Sequence, residues 1–247
     1  MDINQTYIAL GKKLLNEGLF RKTRNGVTLG IFGASMTHDM GDGFPILSIR
    51  NIYTKGIVGE FKSFIEDADT IAKFEANGCN YWKLWAEKDG SIKLDYPPRK
   101  QLDYVIDLLK NEPTSRRILI DLWNPDNRGK LSLDPCHTQY QFYVREGAYL
   151  DMIWTQRSVD YAVGMPSDLI LAALYVEYIC SKVEGLTPGR ITYNLGDIHL
   201  YEEHIDGFKV LMKNESKFEP VDYTFKDFKL TLVDYSPEAS VKFLLKA

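Results

Sequence analysis

Apolar residues first recur at helical spacing near the start of the chain, where Leu10, Leu14 and Leu15 predict an amphipathic helix that stops near Gly18. Residues 27–33 (VTLGIFG) then read as a strand punctuated by glycines, and GDGFP at 41–45 as a turn. A helical pattern returns over 54–76, with Phe61, Phe64 and Ile65 on one face, and again from Leu102 to Leu109. The middle of the chain reads as strands: RILIDLW (117–123), TQYQFYV (138–144) and AYLDMIWTQRS (148–158). Pro166-Ser167-Asp168 introduces LILAALYVEYICSKV, a long apolar segment that reads as a buried helix. RITYNL (190–195) and KLTLV (229–233) complete the strands. Strands and helices alternate irregularly, with hairpin-like neighbours, so an α+β fold fits better than a doubly wound sheet. No repeat, low-complexity tract or linker interrupts the pattern, and residues 1–247 are expected to form a single domain.

Composition narrows the class. With 247 residues, 45% apolar and 26% charged, the chain can bury a large core and is ordinary for a soluble globular protein. A formal charge of −4 and a pI near 5.7 argue against binding DNA or RNA by general electrostatic attraction. A local cluster of arginines could still hold one small phosphate. No run of roughly 18 apolar residues predicts a membrane span, and the opening residues show no charged region followed by an apolar stretch. Cys79, Cys136 and Cys180 are odd in number and fit no metal spacing. The expected setting is a reducing cytoplasm with free thiols, no metal and no DNA or membrane partner.

Four segments carry candidate chemistry. Asp134-Pro135-Cys136-His137 places a cysteine beside a histidine at the head of a strand, where an activated nucleophile could sit. A structural cysteine is the commoner reading of that segment alone. Thr114-Ser115-Arg116-Arg117 starts a strand with two arginines, and Gln156-Arg157-Ser158-Val159-Asp160 ends another with a guanidinium, a hydroxyl and a carboxylate. Gly196-Asp197-Ile198-His199-Leu200-Tyr201 sets a histidine and a tyrosine two residues apart, on one face if extended. Guanidinium groups and a serine hydroxyl suit a phosphomonoester, because arginine pairs bidentately with its oxygens. A surface salt bridge is the ordinary alternative for any one of these arginines.

Taken in order, these segments resemble the thymidylate synthase family from about residue 24 onward. Pro135-Cys136-His137 with TQYQFYV resembles the family's nucleophile segment, and SRRILIDLWNP, QRSVDYAVGMPSD and GDIHLYEEH resemble three more. GVTLGIFG with DGFPILS, and the long segment from Gly59 to Gly90, resemble the N-terminal part. The resemblance implies an α+β domain, with a mixed sheet flanked by helices and one sheet face forming a homodimer interface. It implies that Cys136 adds to C6 of a pyrimidine nucleotide and that C5 then attacks 5,10-methylenetetrahydrofolate, the co-substrate. By the same resemblance Arg157 favours the thiolate and holds phosphate, with Arg24, Gln156 and Ser158 also on the nucleotide. Arg116 and Arg117 match a pair that reaches across the two-fold axis into the other subunit's site. His199 and Tyr201 match groups at the deoxyribose 3′-hydroxyl. Glu60 matches the glutamate that organises proton transfer, although a solvated helix charge is its ordinary reading. Trp82, Trp85, Asp160 and Gly164 match the folate side, with burial in the core an alternative for either tryptophan. His137 is assigned packing or a hydrogen bond rather than the role of base.

The chain also departs from the family. Members specific for dUMP carry Pro-Phe-Asn where this chain has Pro166-Ser167-Asp168. An amide offers one donor and one acceptor, matching uracil at N3 and O4, whereas an ionised carboxylate only accepts. Asp168 is therefore expected to favour the amino edge of cytosine, as in the phage deoxycytidylate hydroxymethylases that the chain most resembles. Ser167 or Asp168 could instead cap the following helix. The expected reaction converts dCMP to 5-hydroxymethyl-dCMP in the cytoplasm, the host's if the chain is phage-encoded. A hydride finish would give 5-methyl-dCMP, a thymidylate synthase tolerating Asp168 would act on dUMP, and a silent homologue would only bind nucleotide or messenger RNA. The segment SIKLDYPPRKQ is shorter than the family's Gly-x-x-Tyr-Gly loop, leaving Tyr96 as the candidate for its tyrosine. The closing residues Phe243-Leu244-Leu245-Lys246-Ala247 differ from the family's usual tail, so closure over the folate rests on the resemblance alone.

Overall fold

The computed structural model describes residues 2–96, 99–214 and 220–246, with the side chain of Arg99 left aside. Helix α1 (Ile3–Glu17) starts on Asp2, whose carboxylate accepts from the Asn4 amide at 2.7 Å. It ends at Gly18, as its leucine spacing predicts. Strand β1 (Leu19–Thr23) follows, with all its residues exposed, so no alternation marked it. Strand β2 (Gly26–Asp39) runs six residues past the expected end. Gly33, at φ 82, breaks its inward-outward pattern halfway along, which hid the second half.

The single helix expected over 54–76 is two helices, α2 (Thr54–Ile65) and α3 (Ile71–Ala76). The chain turns at Asp67, which adopts a left-handed φ of 51, and Ala68 N–H donates to the Ser63 carbonyl. Phe61, Phe64 and Ile65 still face inward. Helix α4 (Arg99–Asn111) contains the expected 102–109.

Strand β3 is only Leu119–Asp121. It is extended by single bonds from Phe142 to the Ile118 carbonyl and from Leu122 to the Thr138 carbonyl. Strands β4 (His137–Arg145) and β5 (Tyr149–Asp160) form a hairpin in which His137 faces Gln156. Helix α5 (Gly164–Cys180) begins two residues before Pro166, which is tolerated in the first turn because its missing N–H would have no helical partner. The helix is apolar all round and runs buried from β5 to β6 (Thr187–Tyr201), joining the one parallel pair of the six-stranded sheet. Strand order is β1-β2-β6-β5-β4-β3. Helix α6 (Ile205–Leu211) and the hairpin of β7 (Tyr223–Lys226) and β8 (Lys229–Leu232) complete the chain.

The sheet is thus mixed and flanked by helices, an α+β arrangement. α5 packs on one face of it and against α2, and the core is one cluster reaching from Ile3 to Met212. Gly196 sets the spacing at the site end of β6, because a Cβ there would lie 2.8 Å from the Arg157 carbonyl oxygen on β5. That close approach is what allows the ends of β5 and β6 to bring Arg157, Ser158 and His199 together. Among the described residues, no helix is long and apolar enough to cross a membrane.

Candidate active site

Two adjoining chambers open where β5, β6 and the N-terminus of α5 meet the loop before β4. The first, about 420 Å³, is lined by Glu60, Trp82, Trp85, Tyr96, His137 and Asp168 among others. The second, about 670 Å³, is lined by Arg24, Asn25, Arg157, His199, Tyr201 and Lys246 among others. Cys136, Ser158, Asp160 and Gly164 belong to both. The thiol therefore stands on the seam.

Cys136 is held by backbone and side chains from three directions. Its carbonyl accepts from Arg157 N–H at 2.9 Å, and its own N–H donates to the Tyr96 hydroxyl at 2.6 Å. The Arg157 guanidinium donates to the carbonyls of Pro135 at 2.8 Å and Asp134 at 3.2 Å, with its flat face 5.0 Å from the Trp123 ring centroid. Burial pushes the Cys136 thiol up, and the Arg157 charge lowers it by less. The Arg157 charge acts toward the thiolate, and desolvation outweighs it.

Asp168 sits inside the first turns of α5, and that helix has no side-chain cap. The helix-cap alternative is thereby removed. One carboxylate oxygen accepts from Gln156 Nε2 at 2.7 Å, and the other lies 3.0 Å from His137 Nε2. His137 Nδ1 lies 3.1 Å from the Tyr140 hydroxyl, so its ring nitrogens are engaged by Asp168 and Tyr140.

Glu60 is buried on α2 and accepts from the Trp82 indole N–H at 2.8 Å. Burial raises its pKa to about 8, Trp82 pulls it down, and the Asp168 charge pushes it up. A carboxyl in that range can carry a proton to and fro near neutrality. Trp82 and Trp85 lie 5.4 Å apart, and the buried Trp85 Nε1 has no partner. Asp160 accepts from the Ala162 and Val163 amides at 3.1 Å, and burial raises its pKa. An aromatic wall with an orphaned donor and a nearby carboxyl suits a flat heterocycle with hydrogen-bonding edges, such as a pterin.

In the second chamber His199 Nδ1 meets the Asp197 carboxylate at 3.3 Å, and Asp197 pairs with Arg21. The His199 and Tyr201 rings meet edge to face at 5.5 Å, sharing the face that their spacing predicts. Arg24, Arg157 and Lys246 supply positive charge there, suited to a phosphate. Arg116 and Arg117 line neither chamber but a separate surface depression, where Arg117 pairs with Glu112 at 3.4 Å.

Arg50 had no signal in the sequence, and the closing residues had none beyond the resemblance. The last residues before Ala247 lie across both chambers, with Phe243 lining the first, Leu245 both and Lys246 the second. Lys246 pairs with Glu203 and stands 5.9 Å over the Tyr201 ring. Arg50, buried with its Nε unpartnered, sits 5.2 Å from the Phe243 ring. Only contacts between distant parts of the chain make these residues part of the site. Among the described residues, no group of three or more His, Cys, Asp or Glu is placed to hold a metal ion.

A mixed-sheet fold with a cysteine thiol between an arginine-lined chamber and an aromatic one is the class that fold and site define. The chain belongs to the thymidylate synthase family, whose family model matches residues 5–246. A thymidylate synthase from Corynebacterium aurimucosum is 30% identical over 263 residues, spanning 97% of this chain and 97% of that protein. The protein is accordingly a folate-dependent pyrimidine nucleotide C5 one-carbon transferase, of a family that works as homodimers with methylenetetrahydrofolate as co-substrate and no metal.

Proposed function

We propose that the nucleotide is dCMP and the product 5-hydroxymethyl-dCMP. The observation that carries this reading is the Asp168 carboxylate, buried in the same chamber as the Cys136 thiol. With Gln156 and His137 already against its oxygens, it retains lone pairs for the cytosine amino group and, once N3 gains a proton during cysteine attack, for the N3–H, and it has nothing to donate to O4 of uracil. A site built for one hydrogen-bond pattern rejects the other by leaving buried groups unpaired.

Cys136 adds to C6, which makes C5 nucleophilic, and Arg24, Arg157 and Ser158 hold the phosphate. His199 and Tyr201 meet the deoxyribose hydroxyl, and Gln156 supports the base through Asp168. Methylenetetrahydrofolate, between Trp82, Trp85, Asp160 and Gly164, supplies the carbon. Tyr96, whose hydroxyl accepts from the Cys136 N–H and whose ring stacks on Phe64 at 5.3 Å, is assigned removal of the C5 proton, a role its contact with the cysteine supports. Glu60 handles the protons and the water that completes the hydroxymethyl group, after which C6 releases the cysteine. One dCMP, one methylenetetrahydrofolate and one water give one product and one tetrahydrofolate. The water finish rests on the resemblance to the phage deoxycytidylate hydroxymethylases.

The working unit is a cytoplasmic homodimer in which Arg116 and Arg117 reach the partner's phosphate. Their distance from this chain's own chambers supports that reading, as do exposed Phe32, Tyr143 and Ile153 on the sheet strands. The test is product mass from dCMP with carbon-labelled methylenetetrahydrofolate. A hydroxymethyl product supports the proposal. A methyl product with dihydrofolate overturns the water finish, and turnover of dUMP alone overturns the base assignment.

A further inference from the structure

Asp168 does not stand alone, and the groups behind it restrict which atoms can face it. The Trp154 indole donates to Gln156 Oε1 at 3.1 Å. An indole nitrogen can only donate, so it must meet the amide oxygen and leaves the Gln156 NH₂ turned the other way. That NH₂ then satisfies both of its directions, on Asp168 at 2.7 Å and on the Ser158 carbonyl at 3.2 Å. On the other side His137 Nε2 faces the acceptor-only Asp168 carboxylate at 3.0 Å and so carries a proton, which in the neutral ring leaves Nδ1 to accept from the Tyr140 hydroxyl at 3.1 Å. Trp154 and Tyr140 are buried and stacked on each other at 4.3 Å, so both donors come from one rigid aromatic pair.

We propose that Trp154 and Tyr140 are specificity-determining positioning residues that act through Gln156 and His137 to present Asp168 to the base as an acceptor on both oxygens. This rests on the reading of Asp168 as the group that selects cytosine. If the Gln156 amide turned over, its oxygen would oppose the carboxylate. The pair could then coexist only with the carboxyl protonated and its O–H spent on that amide oxygen, and a neutral acid accepts from the cytosine amino group and a protonated N3 more weakly than a carboxylate does. The same follows if His137 carries its proton on Nδ1. Neither aromatic residue lines the chamber or needs to touch substrate. Glu60, Tyr96, Cys136 and Tyr193 are the other ionisable groups around Asp168, whose carboxylate is engaged by His137 and Gln156.

The experiment compares kcat/KM for dCMP and dUMP in the full-length protein and in Trp154→Phe, Tyr140→Phe and Asp168→Asn. Trp154→Phe keeps an aromatic ring and loses only the N–H, and Tyr140→Phe loses only the hydroxyl. Each should lower kcat/KM for dCMP much more than for dUMP, so that the ratio falls roughly tenfold. A purely structural role would depress both substrates together. Combined with Asp168→Asn, either change should leave the ratio where asparagine alone sets it. If Asp168→Asn moves the ratio while both phenylalanine variants leave it unchanged, the positioning inference is overturned and the reading of Asp168 stands. If Asp168→Asn leaves it unchanged, that reading falls and the inference with it. Should Trp154→Phe not fold, the Tyr140→Phe ratio decides.

Discussion

The indole N–H of Trp82 donates to Glu60 Oε1 at 2.8 Å, coupling an aromatic wall of the first chamber to the protonation of the carboxyl beneath it. Of the influences on Glu60, this bond is the one that stabilises the charged form. Trp82→Phe should therefore move the alkaline limb of the kcat/KM profile upward from about 8. A pH titration of initial rates checks it, and a limb that stays in place or moves down contradicts it.

Glu60 also makes stability depend on pH. Its carboxyl loses its proton near 4.5 in the unfolded chain but near 8 in the folded one. Between those values the native state holds more protons, so stability present at low pH is lost as pH rises through the window. Glu60→Gln cannot ionise, and it should raise the melting temperature relative to the parent more at pH 9 than at pH 5. It should also lower kcat by about 10²- to 10⁴-fold. Calorimetry at the two pH values and steady-state rates read both effects.

Cys136→Ser should abolish turnover and leave dCMP binding within a few-fold, read by titration calorimetry. In the parent, burial raises the thiol and Arg157 partly offsets it. Arg157→Met should shift the iodoacetamide alkylation rate of Cys136 to higher pH. Faster alkylation at neutral pH would mean that loosening the 134–135 carbonyls matters more than the lost charge.

Asp168→Asn should turn preference from dCMP toward dUMP by about 10²-fold or more in the ratio of specificity constants. Tritium release from C5 of each nucleotide measures it directly.

Gly196→Ala should cost about 1–3 kcal/mol, because the new methyl meets the Arg157 carbonyl across the parallel pair. A urea unfolding midpoint gives the number, and an unchanged midpoint would show that β5 and β6 separate there without strain.

Residues that act through local pattern were legible in the sequence. The leucines of α1 and the apolar run of α5 bury what their spacing says they bury, and QRS with GDIHLY marked two strand ends that do meet. Features that depend on local backbone conformation were not. The turn at Asp67 divides one helical pattern in two, and Gly33 interrupts β2 in its middle. β1, exposed at every position, gave no alternation to read. The cysteine segment, Asp168 and the tryptophan pair could be singled out because the resemblance supplied an order for them. Arg50, Phe243 and Lys246 enter the site only when distant segments close on one another, and no window of sequence contains that event. Tyr140 and Trp154 read simply as strand aromatics, although each donates a hydrogen bond one step behind the carboxylate.

Cys136 lies on the seam between the chambers, so one sulfur terminates two approach routes. An electrophile attached to a nucleotide-like carrier and another attached to a pterin-like carrier would label the same atom from opposite sides. Which compound reacts would then depend on the carrier it rides on rather than on the reactive group itself, and saturating either route should protect the thiol from reagents entering by the other.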